Sequence, residues 1–238
     1  MRSLIFCYLL FICLPSFSQT IDVDKAEKRS PVVNNLLTDA GTPFIDAKFV
    51  SLVSGSPFFK EKMMRGLLVS ANGAEYRNIL IRLNLLESQV NYLNDKNEEL
   101  IVAVRMREVT LLDSVTKKNY HFINSDYIKT TDKPEKGFYH LIQKGKAELY
   151  TQYRKTIKET RKFNAATYDQ SIETDLIFFV LLDGQWKKIN KIKDLPGILN
   201  DKKTEVEAYI KSKGFSKYKQ DDVEAVIIYY NSLFEGKQ

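Results

Sequence analysis

The most regular alternation of apolar and polar positions lies in residues 76–92, inside a β-like stretch that covers residues 67–122. An extended chain would place four apolar side chains on one side, namely Ile79, Ile81, Leu83 and Leu85. The opposite side would carry polar residues such as Asn78 and Arg82, while Arg77 interrupts the apolar row at its start. A period of two residues is typical of a strand with one face on a core. The stretch therefore predicts the central sheet of the molecule.

Turn signals divide the rest of the chain into hairpins. Three dipeptides of the kind that tight hairpin turns require lie between apolar runs: Asn72-Gly73, Lys144-Gly145 and Asp183-Gly184. The second and third predict hairpins over residues 138–157 and 176–189. Residues 177–182 are apolar without alternation, which is typical of a strand covered on both faces. We therefore expect this strand to lie centrally in the sheet.

The spacing of apolar residues becomes helical near the C-terminus. A first helical pattern starts after Asp194, which would serve as its N-cap, and stops at Gly214. Its apolar members are Leu195, Ile198, Leu199, Val206, Tyr209 and Ile210. A second pattern begins at about Asp221, and Glu224 three positions later predicts a capping box. Its apolar stripe comprises Val223, Val226, Ile227, Tyr230 and Phe234.

Strands followed by helices at one end of the chain are typical of the α+β class. We expect an antiparallel β-rich body, arranged as a meander, a sandwich or an open barrel, with two C-terminal amphipathic helices. The predicted organisation is a signal peptide at residues 1–18, a flexible lead-in at 19–45 and a single α+β domain at 46–238. Within that domain, residues 46–192 would be β-rich and residues 194–234 helical.

The first eighteen residues predict a secretory signal peptide. Arg2 provides a positive start, and residues 4–14 form an apolar run of eleven residues. The small side chains of Ser16 and Ser18 predict cleavage between Ser18 and Gln19. The alternative is an N-terminal membrane anchor. A helix of eleven residues would span only ~16 Å of a hydrocarbon core of ~30 Å, which disfavours the anchor.

Both cysteines of the chain, Cys7 and Cys13, lie within this leader. The processed chain would therefore hold no disulfide and no thiol, and its stability would depend on burial. Attachment of a lipid at Cys13 is a second alternative. Phe11 and Ile12 disfavour it, because lipoprotein processing uses small residues before the cysteine. We expect an exported protein, in the periplasm or at the cell surface of a Gram-negative bacterium.

Motifs that would identify a catalytic or metal site are not found in the sequence. The two histidines, His121 and His140, do not stand in a ligand-spaced motif, and we expect both to be structural. The sequence contains no Gly-x-Ser-x-Gly motif around a nucleophile and no glycine-rich phosphate loop. We therefore predict no catalytic residue, no metal and no cofactor.

Acidic residues leave one enzymatic alternative open. Two carboxylates about 5–10 Å apart in space can hydrolyse a glycoside without leaving a trace in the sequence. The adjacent pairs are Glu98-Glu99, expected in a turn, and Asp221-Asp222, expected at a helix start where the helix dipole favours acids. An envelope hydrolase built on carboxylates from distant strands is thus an alternative function.

The feature most open to a functional interpretation is positive charge in residues 144–162. Seven basic residues lie there, opposed only by Glu148 and Glu159 and interleaved with Tyr150 and Tyr153. The candidate polyanion-binding residues are Lys144, Lys146, Arg154, Lys155 and Lys158. The alternative is a solvated hairpin whose lysines prevent edge-to-edge pairing of the sheet.

Several short segments resemble one group of proteins. They include Gly55-Ser-Pro-Phe-Phe, Gly66-Leu-Leu-Val, Leu83-Asn-Leu-Leu, Arg107-Glu-Val-Thr-Leu, Gly145-Lys-Ala-Glu-Leu-Tyr and Tyr229-Tyr-Asn-Ser-Leu. In these segments the chain is similar to an uncharacterised family of exported, signal-peptide-bearing Bacteroidota proteins of unknown function. The resemblance implies export and a single folded unit, and it transfers no catalytic or binding residue. It also implies that Asp113-Ser114-Val115 fits the O-glycosylation pattern of such bacteria.

These observations together predict a non-catalytic exported protein of the cell envelope that acts by binding or interaction. Its partner would be an envelope protein, a glycan or a lipid. Nucleic acid is not expected as a partner, because an exported protein seldom meets it. No transmembrane helix is expected after the leader, since no later apolar run approaches eighteen residues.

Overall fold

The structure is a computed structural model that describes residues 41–43, 52–161 and 169–235. Its strands are β1 (Gly41–Pro43), β2 (Leu52–Ser54), β3 (Met64–Ser70), β4 (Glu75–Asn84), β5 (Gln89–Leu93), β6 (Glu99–Val102), β7 (Met106–Leu112), β8 (Asn119–Asn124), β9 (Phe138–Gln143), β10 (Ala147–Thr160), β11 (Asp169–Leu182) and β12 (Gln185–Ile189). Its α-helices are α1 (Leu195–Ile198), α2 (Lys203–Lys213) and α3 (Gln220–Ser232). The predicted leader with its cleavage site at Ser18 and Gln19, and the lead-in as far as residue 40, lie outside the described residues.

The strands belong to one open sheet. Eleven of them follow the order β1-β6-β5-β4-β3-β7-β8-β9-β10-β11-β12, and β2 also pairs with β11. The pairing of β2 with β11 is parallel, whereas neighbours along the main order are antiparallel. The helices follow the last strand in sequence. The predicted α+β class, a β-rich body with C-terminal helices, is confirmed.

A β-bulge in β4 explains why Arg77 interrupts the apolar row. Gly66 of β3 pairs with Ile79, and the next residue of β3 pairs with Arg77. Asn78 is therefore the extra residue on β4. Asn78 has a φ of 59°, a left-handed conformation that asparagine adopts more readily than most residues. The extra residue reverses the alternation, and Tyr76 therefore points into the same core as Ile79.

The first hydrophobic core lies on one face of the strands from β3 to β9. Its buried members are Met64, Leu68, Tyr76, Ile79, Ile81, Leu83, Val90, Tyr92, Met106, Val109, Leu111, Phe122 and Phe138. Four strands separate β5 from β9, which would place them about 24 Å apart in a flat sheet. A Cβ atom added at Gly137, beside β9, would nevertheless lie 3.5 Å from Ser88, beside β5. The sheet therefore curves around this core.

A second core joins the helices to the end of the sheet. Leu149 of β10 and Val180 of β11 are fully buried in it, together with Ile189 of β12. The helical part contributes Leu195, Leu199, Val206, Ile210, Val223, Val226, Ile227 and Tyr230. These positions include most of the two stripes that the helical spacing predicts, so burial of the stripes drives the helices onto the sheet.

The first predicted helix is divided into two. Leu199 has φ −97° and ψ 50°, outside the helical region, so α1 ends after a single turn. A 3₁₀ turn over Asn200–Lys202 then leads into α2. The side chain of Asp194 does not cap α1, because its Oδ2 accepts hydrogen bonds from the main-chain N–H groups of Asn190 and Lys191. Asp194 thus occupies the N-cap position of α1, as predicted, but makes no side-chain capping bond there.

Two further helix-end predictions can be compared with the structure, and one is confirmed while the other is wrong. Gly214 ends α2 in the left-handed conformation, with φ 67°, as predicted. The capping box predicted at Asp221 and Glu224 is wrong. The N-cap of α3 is Lys219, which makes no side-chain capping bond, and Asp221 lies in the first turn, where the helix dipole favours an acid.

β11 is covered on both faces, as its continuous apolar run predicts. Phe178 and Val180 face the second core. On the opposite face Phe179 lies 5.0 Å from Trp186, measured between ring centroids, in a cluster that also contains Tyr139. The strand is not central, however, because it lies one place from the end of the sheet, between β10 and β12.

A buried asparagine ties α3 to the start of β10. The Asn231 Oδ1 atom accepts a hydrogen bond from the Ala147 N–H, and its Nδ2 donates to the Ala147 carbonyl, both at 2.9 Å. Asn231 is 5% exposed. Its single side chain thus satisfies both main-chain groups of Ala147 at a position that water does not reach.

Replacing Asn231 with alanine is expected to lower the free energy of unfolding by about 2–4 kcal/mol, because two buried main-chain groups lose their partners. Urea denaturation measures the change. The control is Ser232→Ala, on the same helix, whose exposed hydroxyl donates to the Tyr229 carbonyl. This control is expected to change stability by no more than about 0.5 kcal/mol. A similarly small loss for Asn231→Ala would contradict the proposed tie.

Candidate functional site

The structure places the five predicted polyanion-binding residues in two separate groups on one hairpin. Lys144 and Lys146 lie in the turn before β10, next to the helices. Arg154, Lys155 and Lys158 lie in the second half of β10. Lys146 and Arg154, the nearest members of the two groups, are eight positions apart in the chain, which corresponds to about 26 Å along a strand. The five residues therefore do not form a single site in the structure.

Within the second group, alternation places Arg154 and Lys158 on the face of β10 opposite to Lys155. The Lys155 ammonium donates to the Thr174 hydroxyl at 2.9 Å, and burial lowers its pKa. The hairpin tip, which includes the predicted basic residue Lys162, lies outside the described residues. Of the three candidates in this half of β10, only Arg154 and Lys158 therefore share a face.

Three of the five basic residues have acidic partners. The Arg154 Nη2 atom is 2.8 Å from a Glu135 carboxylate oxygen, and the Lys158 Nζ atom is 3.9 Å from one of Glu173. Lys146 lies 3.4 Å from Asp201, and its ammonium is also 4.3 Å from the centre of the Phe234 ring. These contacts offset much of the positive charge that the sequence places on the hairpin.

His140 lies in an aromatic cluster at the margin of the first core. Its ring centroid is 5.0 Å from that of Phe122, and its Nδ1 atom is 3.2 Å from the Tyr153 hydroxyl oxygen. Burial, with a smaller contribution from His121, lowers the pKa of His140 to about 4. His121 is partly exposed, and its Nε2 atom is 3.0 Å from a Glu108 carboxylate oxygen. Both histidines thus contact other side chains of the sheet.

The predicted acidic pairs contact neighbouring elements. Glu99 accepts hydrogen bonds from Arg82 at 2.7 and 2.8 Å and from the Asn91 amide at 2.6 Å. Glu98 accepts from the Asn94 amide in the preceding turn. Asp221 and Asp222 lie in the first turn of α3. No group of three or more metal-binding side chains occurs among the residues that the structure describes.

Among the described residues, at least two concave surfaces are large enough to hold a small ligand. A cleft of about 310 Å³ lies where β5 and β9 approach each other, and the ion pair of Arg105 with Asp126 lies in its lining. A groove of about 480 Å³ lies on the outward face of β3, β4 and β7, and we call it the outer groove. Its lining residues are Lys62, Met63, Met64, Arg65, Leu80, Leu112, Asp113, Ser114, Lys117 and Asn119. Its volume falls within the range of small-molecule sites, about 300–1,000 Å³.

Strand pairing builds the floor of the outer groove. Arg65 of β3 pairs with Leu80 of β4 on one side and with Leu112 of β7 on the other. Directly paired residues of a sheet point to the same face, so these three side chains form one row. Leu80 is 40% exposed and Leu112 is 36% exposed. The floor of the groove is therefore apolar and open to solvent, with a cation in its middle.

The rim of the outer groove carries one acid, Asp113, which is held as a carboxylate. The pKa of Asp113 is lowered to about 2, mainly by the hydrogen bond that it accepts from the main-chain N–H of Val115. Hydrogen bonds from Thr116 and Lys62 lower the pKa further. The Lys62 Nζ atom lies 3.3 Å from Asp113 Oδ1. Within the described part of the chain, neither Arg65 nor Lys117 has an acid at ion-pair distance.

The sequence did not reveal the outer groove. Its residues come from two parts of the chain, the segment before β3 with β3 and β4, and the end of β7 with the following turn and the start of β8. These parts lie together only once β3 pairs with β7. One sequence signal was present: Leu80 occupies a position on β4 that alternation assigns to solvent, where a polar residue is the usual choice. Ser114, in the predicted O-glycosylation pattern, is exposed at this groove, and its modification stays a prediction.

Comparisons with protein-family models, curated proteins and solved structures give no match. The resemblance to exported Bacteroidota proteins therefore stays a prediction. Among the described residues, no helix combines the length and the apolar composition that crossing a membrane requires. Function must then be inferred from the geometry and chemistry of the site.

The low pKa of His140 makes stability depend on pH. An unfolded histidine takes up its proton near pH 6.5, whereas folded His140 does so near pH 4. The unfolded state therefore binds more protons between these values, and stability falls as the pH drops through this window, by up to about 3 kcal/mol.

Replacing His140 with phenylalanine is expected to remove this part of the acid sensitivity. Chemical denaturation at pH 7.5, 6, 5 and 4.5 would compare the two proteins, and their difference cancels the contribution of the carboxylates. The stability difference should move in favour of the variant by up to about 3 kcal/mol as the pH falls. His121→Gln is the control and should keep most of the wild-type pH dependence, because burial is the larger cause of the low pKa of His140. An unchanged pH dependence in His140→Phe would refute the assignment.

Proposed function

We propose that the protein is a non-catalytic exported binding protein of the cell envelope and that the outer groove is its ligand site. One observation carries this proposal. The groove exposes Leu80 and Leu112, one on each side of Arg65, on a sheet face that would normally be polar. Exposed apolar surface costs free energy in water, and a concave patch of it is typical of a binding site.

The chemistry of the outer groove supports binding more than hydrolysis. Its one carboxylate, Asp113, has a pKa of about 2, so it cannot donate a proton near neutral pH. Its Oδ1 atom is also engaged by Lys62 and by the Val115 N–H. A carboxylate hydrolase needs a second acid and a protonated partner. The hydrolase remains the alternative for carboxylates elsewhere in the chain.

Binding of a polyanion by the basic hairpin has less support than binding in the outer groove. Lys146, Arg154 and Lys158 lie beside acids at 3.4, 2.8 and 3.9 Å, so a polyanion would have to displace these partners. Lys144 and Lys155 remain as candidates at opposite ends of the hairpin. The predicted role of the hairpin stays a prediction.

The outer groove is expected to bind the neutral apolar dye N-phenyl-1-naphthylamine, whose fluorescence rises in apolar surroundings. Leu80→Glu and Leu112→Glu should each weaken this binding by about tenfold or more, because each removes apolar contact area and places a charge in the groove. Fluorescence titration of the purified protein gives the dissociation constants. Both leucines are partly exposed, so the variants should keep the fold, which thermal unfolding checks.

The matched control is Leu176→Glu. Leu176 is 43% exposed on β11, outside the groove, so it tests the loss of an exposed leucine without a change in the site. The control should bind the dye with the affinity of the wild-type protein. If Leu80→Glu and Leu112→Glu also bind with unchanged affinity, the outer groove is not the ligand site.

Export is the second part of the proposal and is supported by the leader pattern of residues 1–18. After expression of the full-length chain in a Gram-negative host, we expect intact-mass spectrometry of the envelope fraction to show a chain that starts at Gln19. Ser18→Leu should block processing, because the peptidase reads a small side chain there. Ser3→Leu, in the same leader but away from the cleavage site, should be processed normally. An intact leader, or a lipid mass at Cys13, would contradict this cleavage.

A further inference from the structure

The charge of the outer groove limits the kind of ligand that it can take. Its lining contains Lys62, Arg65 and Lys117 against a single acid, Asp113, so three positive charges face one negative charge. Lys62 and Asp113 neutralise each other across 3.3 Å. The lining therefore has a net charge of about +2 near neutral pH, carried by Arg65 and Lys117.

Arg65 stands in the middle of the apolar row rather than at its edge. It pairs directly with Leu80 and with Leu112, so apolar side chains flank its stem on both sides. A ligand that covers these leucines would also exclude water from around the guanidinium group. Attraction between a cation and an anion is stronger where water is excluded. An arginine in this setting favours a ligand that joins an apolar part to an anionic part.

Lys117 lies in the β7–β8 turn, at the rim of the groove. Its backbone is left-handed, with φ 58°, and the residue lines the groove together with Asn119. An anionic group above Leu112 would thus meet Arg65 from the floor and Lys117 from the rim. Guanidinium groups bind carboxylates through two parallel hydrogen bonds, which suits a carboxylate head.

We propose that the ligand of the outer groove is a single-chain anionic amphiphile of the fatty-acid class. Its apolar chain would cover Leu80, Leu112 and Met63, and its carboxylate would contact Arg65 and Lys117. This inference rests on the proposed function, because it names the ligand class of the same groove. A volume of about 480 Å³ is at the lower half of small-molecule sites, which favours one chain over two.

Displacement of N-phenyl-1-naphthylamine by three dodecyl compounds tests the head group. The compounds are dodecanoate, dodecanol and dodecyltrimethylammonium, which share one chain and differ in charge, and all are used below the concentrations at which they aggregate. Dodecanoate should displace the dye at concentrations about tenfold lower than dodecanol, as one charge-assisted contact would provide. The cationic compound should be the weakest of the three. The preference for dodecanoate should shrink as salt is added.

Two variants and a control locate the head group. Arg65→Gln and Lys117→Gln should each reduce the preference for dodecanoate over dodecanol to about twofold or threefold, with the affinity for dodecanol unchanged. Lys211→Gln replaces an exposed lysine of α2, outside the groove, and should leave the preference intact. It controls for the general loss of one positive charge.

The outcomes separate the two proposals. Equal displacement by dodecanoate and dodecanol, or a preference that survives in both Arg65→Gln and Lys117→Gln, would overturn the ligand class. The proposed function would stand in that case, provided that Leu80→Glu still weakens dye binding. Dye binding that is insensitive to Leu80→Glu would overturn the groove itself and the ligand class with it.

Discussion

The register of the strands around β3 is the constraint on which the rest of the structure depends. Met64 of β3 pairs with Ile81 of β4, and both side chains are buried in the first core. The next pair, Arg65 with Leu80, must then point outward, because successive residues of a strand point to opposite faces. A slip of β3 by one residue would bury the guanidinium of Arg65 and expose Met64, and both changes cost free energy. The outer groove is therefore formed by the residues that packing of the core forces to the other side of the sheet.

The long strand β10 contributes side chains to both cores. Leu149 packs against the helices, and Tyr153, four residues later on the same face, packs against the first core. The buried bonds between Asn231 and Ala147 set where α3 meets the start of this strand. A site on the outward face of β3, β4 and β7 thus lies on a sheet whose opposite face is fully packed, which gives a ligand a preformed surface.

Much of the fold was predictable because its signals are local. The dipeptide Asp183-Gly184 forms the turn between β11 and β12, and Gly214 ends α2 with the left-handed backbone that glycine allows. Other features depend on distant parts of the chain. Arg154 is a candidate binding residue by its place in a basic segment of the sequence. In the structure it pairs with Glu135, nineteen residues away.

The sequence by itself determined which faces of the strands and helices are apolar, where the tight turns fall and hence the α+β class. These properties follow from periodicity and from backbone conformations that few residue types adopt. Only the tertiary structure decided which outward residues become neighbours. Arg65 and Leu80 belong to the hairpin that turns at Asn72-Gly73, whereas Leu112 lies on β7, farther along the chain. Pairing of β7 with β3 brings the three residues into one row. The tertiary structure also placed acids beside the basic hairpin. An ion pair depends on the distance between two groups in space, so it leaves no periodic mark in the sequence.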